Sequence, residues 1–242
     1  MVSTGVEALD SLLVSGLPER SAILIVGPPG VGKEAICYWF LSSSLGQGDA
    51  AVFVSRRSVP EVFEDARGFG VTLEGFVNFA DCSGTPPASN AVGCDLRDLT
   101  HLSVSMKKLV AAQASRRIRI VTDILSPLLL LKPLDVVYRF FGSLLLEFKK
   151  YDSVTLATLE EGMHAAREVV AFEQLFDGVV EMRLYEEGGP GYEVPLLRVK
   201  KMRGLGFRSG FFHIQFTPAT KMELKPFTPA EETLRLTPQV LT

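Results

Sequence analysis

The stretch Gly27-Pro28-Pro29-Gly30-Val31-Gly32-Lys33-Glu34 constrains the fold of this chain more than any other. It follows Ala22 to Val26 (AILIV), a short apolar run of the kind that forms a strand buried on both faces. It precedes Glu34 to Leu45, which reads as a helix closed by Gly46 and Gly48. A G-x-x-x-x-G-K loop between a buried strand and a helix is the setting of a phosphate-binding loop. Its glycines let backbone N–H groups converge on phosphate oxygens. The helix start adds a positive dipole end, and Lys33 is placed to reach the β- and γ-phosphates. The ligand expected is ATP or ADP. A plain Gly-Pro turn is the alternative, but it would require neither Gly32 nor Lys33.

The eighth position departs from this pattern. A Ser or Thr there lends a hydroxyl to Mg²⁺, whereas this chain has Glu34. A carboxylate is a hard oxygen ligand for Mg²⁺, but it also brings negative charge close to the phosphates. Two outcomes stay open: Glu34 holds the metal, or it weakens Mg–ATP in favour of another phosphate ligand. A second candidate metal residue is Asp123, at the end of the apolar strand Ile118 to Thr122. In phosphate-loop proteins an acid in this place holds Mg²⁺ or its water shell. The alternative is an ordinary acidic turn.

Strand and helix patterns alternate along the chain. Strands are expected at 50–55, 76–80, 118–122 and 153–158. Helices are expected at 2–13, 34–45, 60–69, 96–115, 134–148 and 163–172. Asp81 to Asp95 is rich in Gly, Ser and Pro and reads as a surface loop. Three late strands follow, at 179–185, 196–202 and 211–216. The pattern predicts an α/β fold, a mainly parallel sheet with helices on both faces and an antiparallel extension at one edge. Thr-Pro pairs at 217–218, 228–229 and 237–238 mark residues 217–242 as an extended tail with little core of its own.

Composition excludes several classes. With 47% hydrophobic and 22% charged residues, the chain is neither disordered nor fibrous. Its 242 residues allow one or two domains at about 150 residues each. A net charge of -3 gives little support for nucleic-acid binding by bulk attraction. The most apolar segment, Ile124 to Leu134, is interrupted by Ser126, Pro127, Lys132 and Pro133. It falls short of the ~18 uninterrupted apolar residues of a membrane span. Cys37, Cys82 and Cys94 are odd in number and lack C-x-x-C spacing, so neither a disulfide framework nor a zinc site is expected. The expected compartment is a reducing cytoplasm. Cys37 reads as core packing, and His101, His164 and His213 show no metal spacing.

Several stretches in order resemble the RecA superfamily, and within it the KaiC-like and RadA-paralogue ATPases common in archaea. They are Ser3-Thr4-Gly5-Val6-Glu7-Ala8-Leu9-Asp10, Gly16-Leu17-Pro18, the phosphate loop, Asp123-Ile124-Leu125-Ser126, Phe176-Asp177-Gly178-Val179 and Lys201-Met202-Arg203-Gly204. The resemblance implies a RecA-like nucleotide-binding domain over residues 1–216. It also implies a homo-oligomer, a hexamer-like ring or a filament, in which Lys201 and Arg203 contact the nucleotide of a neighbouring subunit. A solvated basic turn is the alternative for these two residues. Hydrolytic relatives carry one or two Glu after the second strand, where they orient water. Arg57 and Ser58 fall at those places here, and neither is a base for water at neutral pH.

Glu160, or Thr158, is a candidate sensor at the end of the strand that starts at Ser153, unless this is a solvated turn. Three functions follow from these features. The first is a regulatory or scaffold nucleotide-binding protein with weak or no ATPase activity, working through a protein partner. The second is an active ATPase of the RadA-paralogue type in DNA repair, with Glu34 on the metal and Glu160 as the acid for water. The third is an interaction module with a vestigial loop.

Overall fold

A computed structural model of the protein describes residues 1–88, 91–186, 191–217 and 221–228. Seven strands run parallel: β1 (Ala22–Gly27), β2 (Ala50–Ser55), β3 (Val77–Asp81), β4 (Ala91–Gly93), β5 (Ile118–Thr122), β6 (Ser153–Glu160) and β7 (Gly178–Glu186). Three more, β8 (Glu193–Met202), β9 (Phe212–Thr217) and β10 (Lys221–Pro226), continue the same sheet antiparallel beyond β7. The order is β10-β9-β8-β7-β1-β6-β5-β2-β3-β4.

The central strands are covered on both faces, which is why they read as unbroken apolar runs. All six residues of β1 and of β2 are buried. Two hydrophobic clusters lie on opposite faces of the sheet, and alternate residues of β1 divide between them. Ile23 and Ile25 join one cluster, and Leu24 and Val26 the other. The first cluster packs α1 (Glu7–Leu12), α2 (Lys33–Ser42) and α3 (Val59–Gly68). The second packs α4 (Leu99–Ala111), α5 (Leu125–Leu131) and α6 (Leu134–Phe148), with Phe172 of α7 (Ala166–Leu175).

Three features differ from the sequence expectations. The segment 124–131, read only as an interrupted apolar run, forms α5. Pro127 is accommodated because it lies in the first turn, where a backbone N–H has no helical partner. Pro133 ends the helix by forcing Lys132 into an extended conformation (φ -139°, ψ 151°). The loop 81–95 contains β4, and Cys82 and Cys94 form a disulfide beside it. Odd cysteine number hid this pair, since spacing in sequence says nothing of two strand ends meeting in space. Cys37 stays free and buried, as expected of a core residue. Finally, β10 lies within the stretch read as tail. It pairs with β9 from Lys221↔Thr217 to Pro226↔Phe212, and Met222 is buried. Residues 229–242 of that tail lie outside the described residues.

Buried Arg119 on β5 ties the layers together. Its guanidinium donates to Asp49 Oδ2 (2.8 Å), the Ser3 carbonyl (2.7 Å), Ser43 Oγ (2.6 Å) and Gln47 Oε1 (2.9 Å). The N-terminal segment, the end of α2 and the turn before β2 therefore converge on one cation. Its pKa is lowered by burial, against the hydrogen bond and charge of Asp49.

Candidate nucleotide site

In a parallel sheet, ligands bind beyond the carboxyl ends of the strands, where connections leave in opposite directions. Here Gly27 ends β1 and Glu160 ends β6, and the two are register partners. On the far side of β6, Asp123 directly follows β5, and its N–H donates to the Val54 carbonyl of β2 (3.2 Å). Ser55, Arg56 and Arg57 continue from that point. The sheet thus gathers the phosphate loop, Asp123, Arg57 and Glu160 along one edge. A cleft of 940 Å³ opens there, lined in part by Pro29, Glu34, Arg57, Asp123, Thr158 and Glu160.

The loop has the backbone of an anion cradle. Gly30 and Gly32 take left-handed φ angles of 77° and 95°. Such turns bring successive N–H groups round to one side. Gly32 is also the cap of α2. A Cβ on it would lie 2.4 Å from Cζ of Phe216 on β9, so a larger residue would have to displace that ring as well as adopt a left-handed φ.

Lys33 is fully buried, and its ammonium donates to the Pro28 carbonyl (2.7 Å) and to Glu160 Oε2 (3.0 Å). Glu160 is itself positioned by the Ser126 hydroxyl of α5, which accepts from its backbone N–H (2.8 Å). The strand end is therefore a contact of the loop lysine rather than a freely solvated turn. Glu34 sits in the first turn of α2, in the positive field that would also attract phosphate.

Asp123 is held on both oxygens. Ser55 Oγ donates to Oδ2 (2.8 Å) and the Arg56 N–H donates to Oδ1 (3.3 Å). Arg57 Nε lies 3.7 Å from Oδ2. Burial pushes the Asp123 carboxyl up, and the Ser55 hydrogen bond and Arg57 oppose that rise.

Arg57 is fixed from behind: Nη1 bonds Asp65 Oδ2 of α3 (2.7 Å) and Nη2 donates to the Tyr38 hydroxyl of α2 (2.6 Å). Tyr38 in turn donates to Asp65 (2.5 Å). Burial works against the Arg57 charge, but the Asp65 hydrogen bond and the neighbouring Tyr38 and Asp123 outweigh it, so its pKa is raised. Burial, and then the bond to Asp65, raises that of the Tyr38 phenol. Burial raises the Cys37 thiol, with Glu34 and Asp123 adding to it, so this cysteine is no nucleophile.

Other sequence candidates have local roles. Ser58 is the N-cap of α3, its N–H donating to Glu61 (2.7 Å). Lys201 donates to the carbonyls of Glu173 (2.8 Å) and Phe176 (2.6 Å), which places a cation at the C-terminal end of α7. Arg203 pairs with Asp177 (3.4 Å). Both residues are thus engaged by their own chain.

The sequence reading missed Ser55, Tyr38, Asp65 and Ser126 as supports of the site. It also missed the Cys82–Cys94 pair, which lines the cleft rim with Arg97. The Ser55 contact depends on β2 lying beside β5, which only the strand order shows. No helix among the described residues is long and apolar enough to cross a membrane.

Comparison with known proteins supplies the family. A family model described as "ATPase: KaiC" matches residues 2–225. A UPF0273 protein of Methanopyrus kandleri is 28% identical over 254 aligned positions, covering 98% of this chain and 92% of the relative. A UPF0273 protein of Pyrobaculum aerophilum is 31% identical over 143 residues, covering 54% of this chain and 50% of the relative. In fold, the chain is similar to the crystal structure of a KaiC-like protein from the hyperthermophilic archaeon Pyrococcus horikoshii. That match has a TM-score of 0.75 at 19% identity and covers 93% of this chain and 98% of the other. A phosphate loop at the switch point of a RecA-like sheet, together with a family match over almost its whole length, places the chain in the KaiC ATPase family.

Proposed function

We propose that this protein binds ATP or ADP as a regulatory or scaffold member of its family and hydrolyses ATP weakly or not at all. One observation carries the reading. Arg57 stands beside Asp123, where hydrolytic relatives place an acid, and Asp65 and Tyr38 fix it there. A guanidinium cannot take a proton from water. The binding half of the site is present in the glycine cradle and the buried Lys33.

Glu160 supports a second reading, an active ATPase of the RadA-paralogue type, because its carboxylate lines the cleft. Against that, the Glu160 carboxylate is already engaged by the Lys33 ammonium at 3.0 Å, and would have to leave it to orient a water. The third reading, a vestigial loop in an interaction module, predicts no response to nucleotide.

Assembly into a homo-oligomer would bring Lys201 and Arg203 toward a neighbour's nucleotide only if they leave the end of α7. The expectation of a reducing cytoplasm rests on unpaired cysteines, and the Cys82–Cys94 disulfide removes that support. Calorimetric titration with ATP and ADP tests the reading. Saturable heat with both is expected, and no heat even at millimolar nucleotide would overturn it.

A further inference from the structure

The family's phosphate site is normally completed by Mg²⁺, held between a loop hydroxyl, the strand acid and the phosphates. The residues here do not fit that ion. The loop hydroxyl is replaced by Glu34, which carries a charge of the same sign as the ligand. The strand acid, Asp123, is already bonded on both oxygens, to the Ser55 hydroxyl and to the Arg56 N–H. The cation beside it is Arg57, built in by Asp65 and Tyr38 from two different helices. Mg²⁺ demands near-ideal octahedral oxygens and gives up its water reluctantly. The Arg57 guanidinium, 3.7 Å from Oδ2, competes with a divalent cation for the Asp123 carboxylate and repels it by like charge. Among the described residues no group of three or more His, Cys, Asp or Glu is placed to hold a metal elsewhere.

We propose that this cleft binds a nucleoside di- or triphosphate free of metal, with the Arg57 guanidinium standing in for the divalent cation. Arg57 suits that role chemically. It has five N–H donors, of which Asp65, Tyr38 and Asp123 face three, leaving two to turn toward phosphate oxygens. Its charge is permanent, so it needs no ion from solution. This inference rests on nucleotide binding at the same loop and adds a statement about its cation.

The test is calorimetric titration of the whole chain with ADP, once in millimolar Mg²⁺ and once in EDTA. The expected result is an affinity in EDTA at least as high as that in Mg²⁺, because Mg²⁺ ties up the metal-free ADP that the site takes. A lower affinity in EDTA than in Mg²⁺ overturns the inference while leaving nucleotide binding intact. No heat in either buffer overturns both. The Arg57→Ser variant, checked for an intact melting transition, supplies a second arm. It should lose affinity by about tenfold in EDTA. An Arg57→Ser protein that binds as the wild type does in EDTA overturns the role given to the guanidinium. The wild-type comparison stands alone if the variant does not fold.

Discussion

The ammonium of Lys33 lies 3.0 Å from a carboxylate oxygen of Glu160, a residue 127 positions away that ends the neighbouring strand. The lysine proposed to bind phosphate is thus held by an acid within the sheet edge. A bound phosphate must share Lys33 with that carboxylate or displace it. Glu160→Gln removes the competing charge but keeps an oxygen that can accept from Lys33. The variant is expected to melt lower by about 1 kcal/mol and to bind ATP about tenfold more tightly. Weaker ATP binding by the variant would show that Glu160 assists the ligand.

Lys33→Ala isolates the loop's contribution. A ligand that binds only the native state raises stability by about 2.7 kcal/mol at one hundred times its Kd. The wild type should therefore melt distinctly higher with saturating ATP. The variant should show no shift, and an equal shift in both would place the nucleotide elsewhere.

These two residues mark what the sequence made legible. The spacing Gly27 to Lys33, the apolar runs of β1 and β2, and the helix expected at 134–148 all depend on local pattern. Each reads directly from neighbouring residues. The Lys33–Glu160 pair, the Asp65–Tyr38 clamp on Arg57 and the Cys82–Cys94 bond join residues from separate elements. Only the strand order brings them together. Sequence placed Arg57 at a position where hydrolytic relatives have an acid, but could not say that it faces Asp123. Helix α5 was hidden for a different reason. Pro127 interrupts its composition, and only its place in the first turn reconciles it with a helix.

Arg119 supplies a test of the architecture rather than the site. Its guanidinium is buried against Asp49 and bonded to three other segments. Arg119→Met leaves Asp49 without its main buried partner. Breaking such a pair costs about 3 to 5 kcal/mol, which for a chain of this size lowers Tm by several degrees per kcal/mol. Differential scanning calorimetry measures it. A loss under 1 kcal/mol would mean that the network contributes little to stability.

The Cys82–Cys94 bond closes a short loop at the rim of the cleft. A cross-link over a loop of this size stabilises by about 2 to 4 kcal/mol. The protein melted in excess reductant, or as Cys82→Ser with Cys94→Ser, should lose stability of that order. The free thiol count under denaturing, non-reducing conditions should be one, contributed by Cys37. Three reactive thiols in freshly purified protein would contradict the pairing.

The central claim is that the site binds a nucleotide and turns it over weakly or not at all. The direct measurement mixes the protein in excess over labelled ATP, recovers the bound nucleotide over several hours and quantifies ATP against ADP. The account predicts that most of the label is still ATP at the end of that time. Conversion of most of the label to ADP within minutes, following the amount of protein and disappearing in Lys33→Ala, would contradict it.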